Sequence, residues 1–409
     1  MRILVIEERT VIERIESMRN EIVKFLQDLV MIPSEVPPGR YKEISKLIES
    51  KMLEFGIKTQ RKKNNVIGEI GSETGPTLIF NAHLDTDAPF KGWTRDPYSG
   101  EIVDNKIYGR GVCDDKSCIV AEIFAAKALL DSEFDFSGKL ILTAVINEEI
   151  GGMLGADYIV NKSLVKGDAC LLGDSICDYP VAYRAGTFQI NFTIKGIRRH
   201  AQGWPDLPPP NRNKYSGINA IHKMLPIMNF LMELQEELKF KETKYPISPD
   251  MPSKISSVNV TLMEGGVSVN SIPDKCVLHC IINTIPEQDI DELKSRILEF
   301  IEELKKKDPD LDITVQNPIT IKAEITDINS DFARIVKNVY KTIYNEEREF
   351  KLVLPTTDAT FFHQKGIETI LIGTIRGDNN IHSTDEFIYI EDLINVTKIY
   401  ALTALNYLK

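Results

Sequence analysis

The chain has 409 residues, 43% of them apolar and 27% charged, with a formal net charge of −11. That length favours two domains over one, and the composition is that of a globular protein with a well-formed core. The acid excess argues against nucleic acid and anionic membranes as partners, because both select clustered lysine and arginine. Lys-Glu runs such as Lys239 to Lys244 read as solvated helix faces and loops. Met1 to Ile6 is too short for a secretory apolar region, and no stretch approaches the ~18 apolar residues of a membrane span. Six cysteines without regular spacing make no disulfide scaffold. Cys276 and Cys280, four apart on an apparent strand, would lie roughly 13 Å from each other, too far to bridge. A reducing cytoplasm is the expected compartment.

In chain order, Tyr41 to Ile57 predicts an amphipathic helix, with Ile44, Leu47, Ile48, Met52 and Phe55 at helical spacing. Thr77 to Phe80 and Leu140 to Ile146 predict short buried strands, with an Ala-rich helix at Lys116 to Leu130 between them. Ala169 to Leu172 predicts another strand. This alternation points to an α/β sheet flanked by helices. The order then changes. Thr187 to Ile194 alternates as a strand open to water on one face, followed by a helix at about Asn219 to Lys239. Strands at Ile255 to Leu262 and Cys276 to Ile285, a helix at Gln288 to Lys307 and a strand at Leu311 to Val315 complete the set. That is the β-α-β-β-α-β, ferredoxin-like order, read as a small α+β domain inserted at 184–316 into a larger one formed by 1–183 and 317–409. The α/β character resumes with a helix at Asp331 to Tyr344, strands at Lys351 to Leu354 and Thr369 to Gly373, and a last helix from Ile390.

Polar residues able to bind metal sit just past the ends of the predicted sheet strands. They are His83-Leu84-Asp85, Gly109 to Lys116 before the Ala-rich helix, Asn147-Glu148-Glu149, Gly173-Asp174, and Ile381-His382-Ser383. Sites in open α/β sheets form outside the carboxyl ends of strands, so these segments can bring two imidazoles and several carboxylates to one cleft. Imidazole and carboxylate without clustered thiolate suit Zn²⁺, Co²⁺ or Mn²⁺. Two ions about 3.5–4 Å apart need a carboxylate that bridges them. Cys113, beside Asp114, reads as a small buried thiol.

Three motifs carry a resemblance: H-L-D at His83 to Asp85, G-R-G-x-x-D-D-K at Gly109 to Lys116, and N-E-E-x-G-G at Asn147 to Gly152. With these the chain resembles, in order and over nearly its whole length, the dinuclear zinc metallopeptidase family of acetylornithine deacetylase, succinyl-diaminopimelate desuccinylase, aminoacylase and glutamate carboxypeptidase. The resemblance implies a zinc-peptidase-like catalytic domain with a mixed sheet, plus an inserted ferredoxin-like lid that dimerises. It implies two Zn²⁺, with Asp114 bridging, Glu149 and His382 completing one site, and His83 and Asp174 the other. It further implies that Asp85 hydrogen-bonds the far nitrogen of His83, that Glu148 is the general base, and that the Asp114-Asp115 peptide is cis.

In the insert, His200 resembles the lid histidine that reaches the partner subunit's site and polarises the scissile carbonyl, and Asn270 resembles a lid asparagine that contacts substrate. The chain departs from the family at Asn283 and Thr360, where relatives often carry arginine, so the bidentate clamp on a substrate carboxylate is lost from both positions. Arg376 is the substitute candidate, with Arg184, Arg198 and Arg199 behind it. The loop Gln202 to Ser216 is also longer than usual and is expected to reshape the pocket mouth. The implied activity is metal-dependent hydrolysis of the amide bond in small N-acyl amino acids by a homodimer. A dipeptidase or carboxypeptidase uses the same machinery, and a non-catalytic metal-binding paralogue is the remote alternative.

Overall fold

The computed structural model describes residues 5–202, 217–249, 251–355 and 357–409. The chain forms two compact units, one of Met1–Tyr183, Ile325–Leu352 and Thr356–Lys409, the other of Arg184–Glu324 with Val353–Pro355.

In the first unit, the strands Lys58–Lys62, Asn65–Gly71, Lys139–Val145, Thr77–His83, Ala169–Leu172 and Glu368–Leu371 lie side by side in that order. The first three neighbours pair antiparallel. Thr77–His83 then runs parallel to both Lys139–Val145 and Ala169–Leu172, and Glu368–Leu371 runs parallel to Ala169–Leu172. The sheet is therefore mixed, and its parallel core reads as continuous apolar runs because both faces are covered. The helix Ser117–Asp131 is buried without a break from Ser117 to Ala126 and packs on the last helix, Ile390–Tyr407. A helix apolar all round has no face to offer water, which accounts for that placement.

Two corrections bear on the site. The strand expected to stop at Phe80 continues to His83, so the imidazole is held by the ladder itself, opposite Val145. The helix expected from Lys116 is preceded by a π-turn at Val112–Lys116, which carries Asp114 in an extended conformation.

In the second unit, the antiparallel order is Ser257–Gly265, Lys275–Thr284, Gly186–Lys195, Asp312–Gln316. Phe188, Ile190, Phe192 and Ile194 all point into a core shared with Cys276, Leu278, Cys280 and Ile282 and with the helices Ala220–Leu238 and Ile290–Lys307. Asn219 and Asp289 cap those helices, each accepting from two backbone N–H groups. The unit runs past the expected end at 316, because Thr320–Ile321 pairs again with Gly186–Lys195. Ser257–Gly265 stands at the edge of its sheet. All six cysteines are free and buried. Among the described residues, no helix is long and apolar enough to cross a membrane.

Candidate metal centre

Because the three core strands run parallel in register, their carboxyl ends emerge on one edge of the first unit's sheet. His83 ends one strand, Asn147-Glu148-Glu149 follow the second within a turn, and Gly173-Asp174 follow the third. Gly111 has a φ of +76°, and a Cβ there would meet Thr86 Cγ2 at 2.2 Å, so only glycine lets the Asp114 turn close on the His83 segment. A Cβ on Gly173 would meet Asp115 Oδ2 at 2.2 Å, which seats Asp174 just as closely.

At the centre lies Asp114. Its Oδ1 is 2.9 Å from His83 Nε2 and its Oδ2 is 3.1 Å from His382 Nε2, so each carboxylate oxygen faces one imidazole. The Asp114-Asp115 peptide is cis. Three triples have ligand atoms within 4.8 Å of one another: His83, Asp114 and Glu149; His83, Glu148 and Asp174; Asp87, Glu149 and His382. All five expected metal-ligating residues, and Glu148 with them, therefore gather in one place.

The electrostatics are those of a cation site. Burial pushes Asp114 up, but hydrogen bonds with His382 and His83 outweigh it and hold the carboxyl far below its usual range. Burial, and then the Asp114 charge, pushes Glu149 up to about 8. Burial, Asp114 and Glu148 push Asp174 well above its usual value. His382, hydrogen-bonded to Asp114, is raised to about 10. Acids that stay protonated and imidazoles that stay charged are what a cluster of carboxylates does when protons stand in for metal ions. With nitrogen and oxygen donors and no thiolate, the set fits divalent zinc or its near relatives.

Asp85 meets the far nitrogen of His83, but through its main chain. His83 Nδ1 lies 3.0 Å from the backbone carbonyl of Asp85, whereas its carboxylate is 3.7 Å away. That carboxylate instead accepts the backbone N–H groups of Glu148 and Glu149, both at 3.3 Å. Asp85 thus fixes the His83 ring through its main chain and the acidic pair through its side chain.

Arg376 also departs from expectation. Its guanidinium is already clamped on Asp392, with Nη2 2.8 Å from Oδ1, and approaches Asp178 at 3.3 Å. A fork occupied by a buried carboxylate is not available to a substrate's. Among the other arginine candidates, Arg184 is buried against Glu324 and Arg198 pairs with Asp274. Cys113 is a buried thiol 3.3 Å from Glu386 Oε1, pushed well up by burial.

Three residues escaped the sequence reading. Glu386, 1% exposed, accepts from Arg110 Nη1 at 2.9 Å and from the backbone N–H groups of Gly111 and Cys113 at 3.1 Å. It ties the Asp114 turn to the segment after His382. Asp87 lies 2.8 Å from His382 Nδ1. Asp358 is buried beside Asn81, which donates to it at 3.3 Å, and is pushed well up by burial and by Glu148. For Asp87 the available signal was the second step of the H-L-D-T-D spacing; the other two have only long-range partners.

Within the second unit, His200 is exposed and forms an isolated bridge with Ser271, and the N–H of Ala201 donates to the carbonyl of Asn270 at 2.8 Å. The two lid candidates therefore lie on adjoining segments. Most of the long loop expected to reshape the mouth, residues 203–216, lies outside the described residues.

A profile of Peptidase family M20/M25/M40 matches residues 79–406. The chain is 25% identical to the N-formyl-4-amino-5-aminomethyl-2-methylpyrimidine deformylase of Halalkalibacterium halodurans, with 96% of this chain and 95% of that one covered. It is 24% identical to a succinyl-diaminopimelate desuccinylase of Marinobacter nauticus, over 80% and 82% of the two chains. In fold it matches a Bacillus subtilis protein described as a dinuclear metal binding peptidase of the M20 family, with a TM-score of 0.71 at 17% identity and coverage of 96% and 99%. The resemblance drawn from the three motifs is borne out: the chain belongs to peptidase family M20/M25/M40 and is a metal-dependent hydrolase of that family.

Proposed function

We propose that the protein hydrolyses the amide bond of small N-acyl amino acids, with two divalent metal ions, zinc in the first instance, sharing Asp114. Glu149 and His382 complete one metal site, and His83 and Asp174 the other. The observation that carries this reading is the placement of Asp114, one oxygen toward each imidazole, with a half-buried acid on either side. The names of the two relatives, a deformylase and a desuccinylase, favour removal of an acyl group from an amine.

When bound, the ions supply Lewis acidity and make a held water more acidic. Glu148, within reach of His83 and Asp174, takes the proton of the attacking water and returns it to the leaving amine. Asp85 keeps that base and its neighbour Glu149 in register through their N–H groups. His200 donates to the carbonyl oxygen as negative charge develops there. In this reading the protein is a homodimer paired through the edge strand Ser257–Gly265, His200 serves the partner's site, and Asn270 contacts substrate. Six free cysteines support a reducing cytoplasm as its compartment.

The test is a panel of N-formyl, N-acetyl and N-succinyl amino acids and dipeptides offered to zinc-reconstituted protein. Preferential cleavage of N-acyl substrates is expected. Preference for dipeptides with a free amine would move the reading to a dipeptidase.

A further inference from the structure

The two imidazoles of the cluster are held in different ways. His83 is 1% exposed, ends a strand paired on both sides, and presents its Nδ1 to a backbone carbonyl. His382 has a side chain 47% exposed and sits on an irregular turn at a φ of +52°. Neither a ladder nor burial holds its ring. Two carboxylates do: Asp114 at Nε2, 3.1 Å away, and Asp87 on the far side, whose Oδ2 lies 2.8 Å from Nδ1.

Asp87 makes a second contact. Its backbone N–H donates to Glu149 Oε1 at 3.2 Å. One residue thus touches both side chains assigned above to the same metal site. Its own position is fixed. Glu35 and Thr86 form a parallel bridge, with Thr86 N–H donating to Ser34 and Val36 N–H donating to Thr86. That pairing keeps the chain on either side of Thr86 extended, so Asp87 projects on the same side as Asp85.

We propose that Asp87 is a positioning residue for the outer metal site. Its carboxylate accepts the Nδ1 proton of His382, so that Nε2 is the nitrogen left to ligate a bound ion, while its main chain aims Glu149. The inference rests on the assignment of Glu149 and His382 to a metal ion. An acceptor on the far nitrogen sets the tautomer and the ring orientation of a ligating histidine, and losing such a partner costs about 10–100-fold in metal affinity. His83 takes its far-nitrogen acceptor from the Asp85 carbonyl instead, so the effect falls on one site of the two.

The experiment titrates metal-free protein with Co²⁺, followed by its visible absorption and by calorimetry, for wild type, Asp87→Ala, Asp87→Asn and His382→Ala. Wild type is expected to bind two ions, and His382→Ala to lose one of the two steps. Asp87→Ala should weaken that same step by about 10–100-fold and leave the other unchanged. Asp87→Asn, which retains an acceptor oxygen, should fall between. Wild-type binding by Asp87→Ala beside a deficient His382→Ala overturns the proposal alone. A loss as complete as that of His382→Ala overturns it in favour of Asp87 as a ligand, and equal weakening of both steps overturns it in favour of a general structural role. Two intact steps in His382→Ala overturn the metal assignment, and this proposal with it.

Discussion

Replacing Glu386 by alanine should unsettle the turn that carries Asp114 more than any other single change remote from the cluster. Four donors lose their acceptor: the Arg110 guanidinium at 2.9 Å, the N–H groups of Gly111 and Cys113 at 3.1 Å and the Cys113 thiol at 3.3 Å. Arg110 is itself 2% exposed, and its remaining hydrogen bond is to the Ser383 carbonyl at 3.0 Å. Its charge is then left inside without a counter-ion. Breaking a buried pair from one side costs about 3–5 kcal/mol. With roughly 2–4 °C lost per kcal/mol in a domain of this size, a cost of about 4 kcal/mol lowers Tm by about 8–16 °C. Thermal unfolding of the metal-free protein, followed by circular dichroism, reads the shift without interference from bound metal. Glu386→Gln keeps the shape and one acceptor oxygen and should lose less. A Glu386→Ala protein within about 1 kcal/mol of wild type would refute the reasoning, since it would mean that the Asp114 turn stands without this carboxylate.

Glu148→Gln should abolish turnover while metal content stays near wild type, and Glu149→Ala should lose one metal equivalent; exchanged phenotypes would show the pair read one residue out of place. Metal uptake should release protons and tighten as pH rises from 6 to 8 in weakly buffered solution, because His382 is raised to about 10 by Asp114 and Glu149 to about 8 by burial; uptake that ignores pH contradicts the charge pattern. The same shifts set the stability of the metal-free fold. The raised pKa of His382 gives stability that is full below its ordinary 6.5 and is lost as pH climbs through about 10, so the metal-free Tm should fall between pH 7 and 10. Mixing inactive His200→Ala with inactive Glu148→Ala chains should restore activity if sites are completed in trans; inactivity after proven subunit exchange would place His200 in its own chain's site, and a monomer by light scattering removes the arrangement.

Much of the sheet was legible because its core strands are short apolar runs buried on both faces. Ala169–Leu172 was read to the residue, as was the helix Asp331–Tyr344, whose amphipathic pattern follows a capping Ser330. The helices Ile6–Ser17 and Arg19–Val30 escaped notice, since in the first of them Val11 and Ile15 are buried among glutamates and arginines. Lys58–Lys62 is a polar edge strand with no alternation to betray it. At the site, the segments that follow strands were legible because strand ends carry chemistry in such sheets. Asp87 and Glu386 were not, because what gives them meaning lies far away: His382 is 295 positions from Asp87, and Arg110 is 276 from Glu386. Arg376 misled for the opposite reason. Its partner Asp392 is 16 residues on and reads in the sequence as an ordinary acid in the first turn of a helix.

The claim on which the rest depends is that the active form holds two ions sharing Asp114. Metal-free protein titrated with Zn²⁺, with bound metal and hydrolysis of the best N-acyl substrate recorded on the same samples, tests it directly. The account predicts that activity rises to a plateau as bound zinc approaches two equivalents per chain, and that Asp114→Ala binds neither ion tightly. A stable protein fully active with one equivalent and showing no second site would contradict it.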